Sequence, residues 1–293
     1  MSAALFAVVF SLLLDHLAPA AQGLRQHAAV GQWLGDRGAS LGAREAASRW
    51  SFLLPLVLPL GAIAVLQWFA SEWLFGLPAF LLALGVLFFC WGPRDLDLDV
   101  EAVASAADEE TRALAMKQLC ADDDLRCEGT SLVHAVFRQA LSRWFGVLFW
   151  FLLLGPFGAL TYRLIVIYHQ HRQGLGELQQ NLLSQWRAAL DWPAAQLMVL
   201  ALALVAHFDA VVSAWRDWHA ARGEGWWVLD LGYLDAAARA SVRADLVEAA
   251  EEGELQDIAP ALRELRDAMS LVWRVLLAWL CVLALFVLAG FVN

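Results

Sequence analysis

The chain has 293 residues, of which 60% are hydrophobic and 17% charged, and its formal net charge is −10. Because the apolar residues are gathered in runs of about 20, this composition indicates an integral membrane protein and excludes two large soluble domains. The acidic balance excludes nucleic acid as the main partner, since an acidic surface repels phosphate groups.

Six apolar segments follow one another along the chain. Each is close to the roughly 20 residues that a helix needs to cross a hydrocarbon core of about 30 Å. Tryptophan residues stand at or near many of the segment ends, as in the aromatic belts of membrane proteins. We therefore predict an all-α integral membrane protein, a single bundle of about six transmembrane helices that takes in residues 1–293. The predicted spans are residues 1–20, 52–69, 73–91, 144–168, 194–215 and 269–292.

The orientation follows from the basic residues of the loops, because lysine and arginine resist translocation. The loops 21–50, 92–143 and 216–268 hold four, six and six of them, whereas the stretch 169–193 holds two. We predict that the three basic loops are cytoplasmic and partly helical, and that both termini are periplasmic. A re-entrant fourth segment, which would move the C-terminal half to the other side, stays open as an alternative.

The fourth segment reads WFGVLFWFLLLGPFGALTYRLIVIY and carries one charged residue, Arg163. Near its middle, Pro156 removes one helix hydrogen bond and Gly155 lets a neighbouring backbone come close. We expect the helix to cross the membrane with a kink between Leu154 and Gly158.

Within this segment, the stretch LFWFLLLGPFGALTYRL resembles the signature of the AmpE family, inner-membrane proteins named for the β-lactamase induction locus. With the order of the segments, the resemblance covers nearly the whole chain. It implies a multi-pass protein of the bacterial inner (cytoplasmic) membrane, non-catalytic, with a signalling or regulatory role in β-lactamase induction and cell-wall recycling. The residues that carry it are Gly155, Pro156, Tyr162 and Arg163, then Asp191 and Pro193 in the LDWP before the fifth segment, and the GPRDL that begins at Gly92.

AmpE proteins are similar in turn to the CobD/CbiB family of cobalamin biosynthesis, whose members attach an aminopropanol-type side chain to a corrinoid. This chain departs from that family in two places. Residues 137–144 read FRQALSRW in place of an acidic, Asn- and Thr-rich stretch, and residues 164–168 read LIVIY in place of an Asn-Thr-Leu-Asp type segment. The alternative function is a membrane-embedded ligase or transferase, similar to adenosylcobinamide-phosphate synthase, that acts on an amphipathic substrate. A transporter is the third reading.

Few motifs point to a chemical site. The four acidic residues of the stretch 95–101 alternate with apolar ones, so an extended chain would place four carboxylates on one face, where they could hold a divalent cation. A solvated acidic loop is the favoured reading, since the calcium-loop spacing is absent. His169 and His171 have no third ligand nearby in sequence and indicate an interfacial pair. The four cysteines form no Cys-x-x-Cys pair and are predicted to be reduced thiols. No metal, cofactor or catalytic residue is predicted.

Ionisable residues inside the predicted spans form the candidate site, because an unpaired charge there costs about 3 kcal/mol or more. With six spans, five of them fall at a similar depth near the cytoplasmic end of the bundle. We expect a carboxylate to pair with the arginine, beside a histidine that changes charge near neutral pH, as a ligand-binding site or a switch. A purely structural ion pair is the alternative. The five residues are Asp15, His16, His207, Asp209 and Arg274, with Asp15 or Asp209 as the partner of Arg274.

The expected partners are the lipid bilayer and, from the resemblance, another inner-membrane or cytoplasmic signalling protein. A homo-oligomer stays open.

Overall fold

The computed structural model describes residues 8, 10–11, 27–42, 50–72, 77–91, 95–120, 132–223, 228–251 and 260–289. Within these ranges the regular elements are helices and there is no strand, so the prediction of an all-α fold is confirmed. The α-helices of these ranges are, in chain order, α1 (His27–Gly42), α2 (Leu54–Glu72), α3 (Leu77–Cys90), α4 (Leu96–Ala104), α5 (Glu109–Cys120), α6 (Leu132–Ala140), α7 (Gly146–Leu154), α8 (Pro156–Gln170), α9 (Glu177–Val205), α10 (Phe208–Arg222), α11 (Gly232–Glu251) and α12 (Pro260–Leu288). A π-helical turn, Leu141–Phe145, joins α6 to α7.

The chain divides into two compact units. Unit 1 comprises Met1–Pro93, Gly146–Leu190 and Ala284–Asn293, and unit 2 comprises Arg94–Phe145 and Asp191–Leu283. Each unit is therefore assembled from stretches that are distant in sequence.

Three described stretches are long and apolar enough to cross a membrane: Ser51–Ala70, Glu177–Val205 and Leu262–Leu285. They overlap the predicted second, fifth and sixth segments. Helix α3 covers the third segment with 14 residues, about 21 Å at 1.5 Å per residue. Most of the first segment lies outside the described residues. Length and composition thus support three spanning helices of the six predicted.

The predicted fifth span, 194–215, is divided between two helices. Helix α9 runs through Pro193 and ends at Val205, and α10 begins at Phe208. The break falls at His207, whose backbone angles (φ −75°, ψ 98°) are extended and not helical. The C-terminal part of the predicted span therefore belongs to a separate helix.

The fourth segment folds back on itself within unit 1. In one straight helix, Gly146 and Tyr162 would lie about 24 Å apart at 1.5 Å per residue. Instead, a Cβ added to Gly146 would overlap the ring of Tyr162, so α7 and α8 pack side by side. The segment 144–168 is therefore a helical hairpin and not one kinked span, as in the re-entrant alternative.

The tip of this hairpin is Gly155, which has φ 68° and ψ −155°. This backbone region is essentially confined to glycine, because a Cβ would clash with the neighbouring peptides. Pro156 follows as the first residue of α8, where its missing N–H would be unbonded in any case. The next N–H, of Phe157, donates to Oε1 of Gln67 on α2 at 3.1 Å. The reversal is thus fixed by one glycine, one proline and one amide cap.

Gly155→Ala is expected to destabilise the folded protein by about 1–3 kcal/mol, because alanine must take a backbone conformation that excludes it. Its Cβ would also lie 3.0 Å from the Gln67 amide nitrogen. The matched control is Gly61→Ala on α2, where an added Cβ meets nothing within 4 Å. Thermal unfolding of both variants in detergent measures the difference, and equal stabilities would contradict the reversal at Gly155.

Helix α1 packs against the C-terminal end of the hairpin through its glycines. A Cβ on Gly31 would overlap the ring of His171, and one on Gly38 would overlap the hydroxyl of Tyr168. A Cβ added to Gly35, between them, would lie 2.8 Å from the backbone oxygen of His171. The loop 21–50, predicted to be partly helical, therefore contains a helix whose small-residue face lets another chain segment approach closely.

Candidate functional site

His207 and Arg274, two of the predicted site residues, meet the same carboxylate in unit 2. Nε2 of His207 lies 3.2 Å from Oδ1 of Asp245 and 3.3 Å from Oε2 of Glu248, which are one turn apart on α11. Nη1 of Arg274, on α12, lies 4.0 Å from Oδ2 of Asp245. We call these four residues the histidine cluster.

The carboxylate that meets Arg274 is thus Asp245 and not Asp209. Asp209 is exposed in the first turn of α10, where a negative charge suits the helix dipole, and it makes no ion pair with the described residues. Asp15 and His16 lie outside the described residues. The sequence analysis missed Asp245 because it compared only residues inside the predicted spans, and Asp245 lies in the predicted loop 216–268.

The histidine cluster is open to solvent. The exposed fractions of the side chains are 39% for His207, 24% for Asp245 and 56% for Arg274. Contacts this exposed stabilise a fold by about 0–1 kcal/mol each, so they do not hold unit 2 together.

Unit 2 also contains a fully buried ion pair. Nη1 of Arg143 donates to Oδ2 of Asp99 at 2.7 Å, and both side chains are 2% exposed. Nε of Arg143 donates to Oε1 of Gln139 at 3.0 Å. Arg143 lies in the π-helical turn, a wider turn that often marks functional sites. The Gln139 side chain is also buried, and its Nε2 has no hydrogen-bond partner in the described part of the chain.

The acidic stretch 95–101 is helical and not extended, so its carboxylates point in different directions. Asp95 caps α4 by accepting from the N–H of Asp97 at 3.1 Å. The oxygens of Asp97 accept from Nε1 of Trp273 at 3.0 and 3.1 Å, and Glu101 faces Arg266 at 3.8 Å. The four carboxylates therefore have separate roles. No group of three or more metal-ligating side chains occurs among the described residues.

The sequence analysis missed the Asp99–Arg143 pair because the two residues are 44 positions apart and both lie in the predicted loop 92–143. One sequence signal could have found Asp99. It lies between Leu96, Val100 and Val103, which are buried and share its helix face at helical spacing.

Asp99→Ala is expected to destabilise the protein by about 3–5 kcal/mol, because it leaves the Arg143 charge buried without its carboxylate. Glu101→Ala on the same helix is the control. Its partner lies at 3.8 Å in an exposed contact, so about 0–1 kcal/mol is expected. Denaturation in detergent compares the two, and a loss for Asp99→Ala no larger than for the control would refute the buried pair.

Arg163, the charged residue of the family motif, is buried in unit 1 with 3% of its surface exposed. Its Nη2 lies 3.3 Å from Nδ1 of His27, and Nε2 of His27 lies 2.7 Å from the carbonyl oxygen of Phe89. Because arginine offers only donors, Nδ1 must accept and Nε2 must carry the proton. His27 is therefore neutral and links α8 to α3 through Arg163.

The other motif residues also occupy structural positions. Tyr162 is 1% exposed and packs on Gly146, while Gly155 and Pro156 form the hairpin tip. Asp191 is 4% exposed in α9, and Pro193 lies two residues further along the same helix. The motif thus maps onto buried side chains and one reversal of the chain.

His169 and His171 do not act as a pair. Nδ1 of His169 accepts from Arg172 at 3.1 Å and from Arg187 at 3.0 Å, and its Nε2 lies 3.1 Å from Oγ of Ser184. His171 instead hydrogen-bonds through Nδ1 to the backbone of its own helix. Two guanidinium groups at one imidazole nitrogen leave no place there for a metal ion.

The cysteines differ from the prediction of four reduced thiols. Cys120 is disulfide-bonded, whereas Cys90 and Cys281 are free, the first buried and the second exposed. Disulfides persist in oxidising compartments.

Comparison with protein-family models gives no match for this chain, and neither the curated proteins nor the solved structures give one. The relation to the AmpE family therefore stays a resemblance that rests on the motif residues.

Proposed function

We propose that the chain is a non-catalytic regulatory protein of the bacterial inner membrane, associated with β-lactamase induction and cell-wall recycling. The observation that supports this most is the use of the family motif. Its arginine and tyrosine are buried, and its glycine and proline form a turn, so these residues specify a fold and do not line an open reaction site. A motif used in this way fits a non-catalytic role better than an enzymatic one.

We infer a membrane topology, and one contact in unit 2 supports it. Arg138 makes a two-pronged ion pair with Asp235, Nε to Oδ1 at 3.0 Å and Nη2 to Oδ2 at 2.8 Å. These residues belong to the loops 92–143 and 216–268, so both loops lie on one side of the membrane. The chain between them must then cross the membrane an even number of times.

A hairpin contributes an even number of crossings, because it returns to the side from which it starts. Helix α8, at 15 residues, is about 22 Å long and falls short of a hydrocarbon core of about 30 Å. If the hairpin is re-entrant, α9 does not cross either. In the most apolar window of α9, 44% of residues are buried by protein, against 17% for Ser51–Ala70. Such burial suits a helix covered by protein on one side.

Four crossings remain, at residues 1–20, 52–69, 73–91 and 269–292. In this topology the stretch between the third and fourth crossings begins and ends on the cytoplasmic side with the hairpin re-entrant, and Arg172 and Arg187 join the other basic residues there. The positive-inside rule is then obeyed by all the loops. The disulfide at Cys120 argues for the opposite orientation, but the even number of crossings holds for either orientation.

Labelling of introduced cysteines by a membrane-impermeant maleimide tests this topology. The background is Cys281→Ser, which removes the exposed free thiol of the described residues. Gly176→Cys lies at an exposed position where an added Cβ meets nothing, and Lys117→Cys is exposed on α5 of unit 2. We expect both to be labelled from the same side of the membrane, and from the cytoplasmic side only. Labelling from opposite sides would restore the six-span arrangement, and labelling of both from the periplasm would reverse the orientation.

The histidine cluster is the candidate switch. In a host that lacks its own copy of the gene, Asp245→Asn is expected to reduce β-lactamase induction without lowering the amount of folded protein, because the contacts of Asp245 are partly exposed. Asp209→Asn is the control, since Asp209 makes no ion pair with the described residues. Equal induction in the two variants would remove the cluster from the mechanism.

The alternative, a corrinoid transferase, has a direct test. Expression in a cobalamin-auxotrophic strain without its own synthase is expected to give no growth in the absence of cobalamin. Growth would replace the regulatory proposal with the enzymatic one.

A further inference from the structure

An open groove lies beside the hairpin tip in unit 1. Its volume is about 430 Å³, within the range of roughly 300–1,000 Å³ that small-ligand sites occupy. The lining residues are Ala64, Gln67 and Trp68 of α2 with Leu154 and Phe157 of the hairpin. Four of the five are apolar, and Gln67 supplies the polar group.

The groove opens onto a surface that is apolar over the length of α2. At the groove, the exposed fractions are 70% for Trp68 and 46% for Leu154. About three turns earlier on α2, they are 72% for Leu58 and 62% for Val57. Most of α2 lies within Ser51–Ala70, a stretch that is long and apolar enough to cross a membrane, so in the proposed topology the groove faces lipid and not water. An occupant must therefore come from the bilayer.

Two lengths place the groove near the outer surface, and this step rests on the topology proposed above. Gln67 lies five residues before the outer end of α2, which corresponds to about 8 Å. The hairpin tip is separated from the inner membrane surface by the 15 residues of α8, which are about 22 Å long. In a hydrocarbon core of about 30 Å, the tip is then about 8 Å from the outer surface. The agreement puts Gln67 at the level where the acyl chains of the outer leaflet begin.

The side-chain Nε2 of Gln67, near the outer surface in this topology, has no acceptor among the described residues. Oε1 of the same side chain is taken by the N–H of Phe157. In a lipid surrounding, an amide N–H without an acceptor costs free energy, which an ester carbonyl would recover.

We propose that this groove binds one acyl chain of an outer-leaflet glycerolipid, whose ester carbonyl accepts a hydrogen bond from the Gln67 side chain. The chain lies against Ala64, Trp68, Leu154 and Phe157. The bound lipid thereby braces the hairpin tip against α2 at the point where Gln67 already caps α8.

The experiment uses the full chain in vesicles of phosphatidylethanolamine and phosphatidylglycerol. A trace of phosphatidylethanolamine carries a photoreactive diazirine near the ester end of one acyl chain. After illumination, labelled peptides are located and quantified by mass spectrometry. We expect labelling concentrated on Trp68, Leu154 and Phe157, above that of equally exposed residues elsewhere on α2.

Two variants separate the groove from lipid contact in general. Ala64→Trp fills the groove and is expected to lower its labelling about tenfold, as overpacking by 1–3 kcal/mol would. Ala62→Trp introduces the same indole at an exposed alanine outside the lining and should leave the labelling unchanged.

A third variant addresses the hydrogen bond. Gln67→Glu keeps an acceptor for Phe157 and removes the amide donors, so it separates the helix cap from the lipid contact. About a fivefold loss of groove labelling is expected, equivalent to one net hydrogen bond of about 1 kcal/mol. A probe with ether-linked chains should show no difference between Gln67→Glu and the unchanged protein.

The outcomes distinguish this proposal from the topology on which it rests. Labelling spread along α2 in proportion to exposure, and equal in Ala64→Trp and Ala62→Trp, would mean a lipid-facing helix without a specific site and would overturn the proposal alone. If α2 were not labelled at all, the membrane placement would fail as well. Groove labelling that is lost in Ala64→Trp but unaffected by Gln67→Glu would overturn the ester hydrogen bond.

Discussion

The reversal at Gly155 is the constraint on which the arrangement of unit 1 depends. A positive φ at this one residue turns an apolar run of 25 residues into two short helices that lie side by side. Helix α8 is too short to cross a bilayer by itself, so its packing on α7 and the cap from Gln67 replace the continuous hydrogen bonding of a spanning helix. In the proposed topology, the number of membrane crossings and the depth of the groove both depend on this turn.

A buried arginine occurs in each unit, and the neighbouring groups described for the two arginines differ. In unit 1, Arg163 meets a neutral imidazole, which accepts one of its hydrogen bonds without adding an opposite charge. In unit 2, Arg143 meets the ionised side chain of Asp99 in a fully buried pair, with Gln139 as a second acceptor. Removing one partner of such a pair costs far more than the pair gains, so it constrains which helices pack together. The histidine cluster of unit 2 is exposed and carries no comparable constraint.

Polar contacts also hold α12 beside the helices of the loop 92–143. Trp273 donates to Asp97 of α4, and its ring lies 5.2 Å from that of Trp144. Beyond Arg274 the helix is apolar to its end. In the proposed topology this point is the membrane boundary, where tryptophan and arginine are favoured because each has an apolar body and a polar group. One helix can thus belong to unit 2 at its start and to the bilayer further on.

The sequence by itself determined the helical class, the apolar segments, the importance of Gly155 and Pro156, and two residues of the histidine cluster. These follow from local composition and periodicity, which report how a segment contacts its surroundings. Only the tertiary structure decided that the chain turns back at Gly155, that the fifth segment breaks at His207, and that Asp245 replaces Asp209 beside Arg274. The physical reason is that a Gly-Pro step permits both a kink and a reversal, and the choice depends on distant groups such as Gln67 and Tyr162. In the same way, the partner of a buried charge such as Arg143 is set by packing between helices that no local pattern specifies.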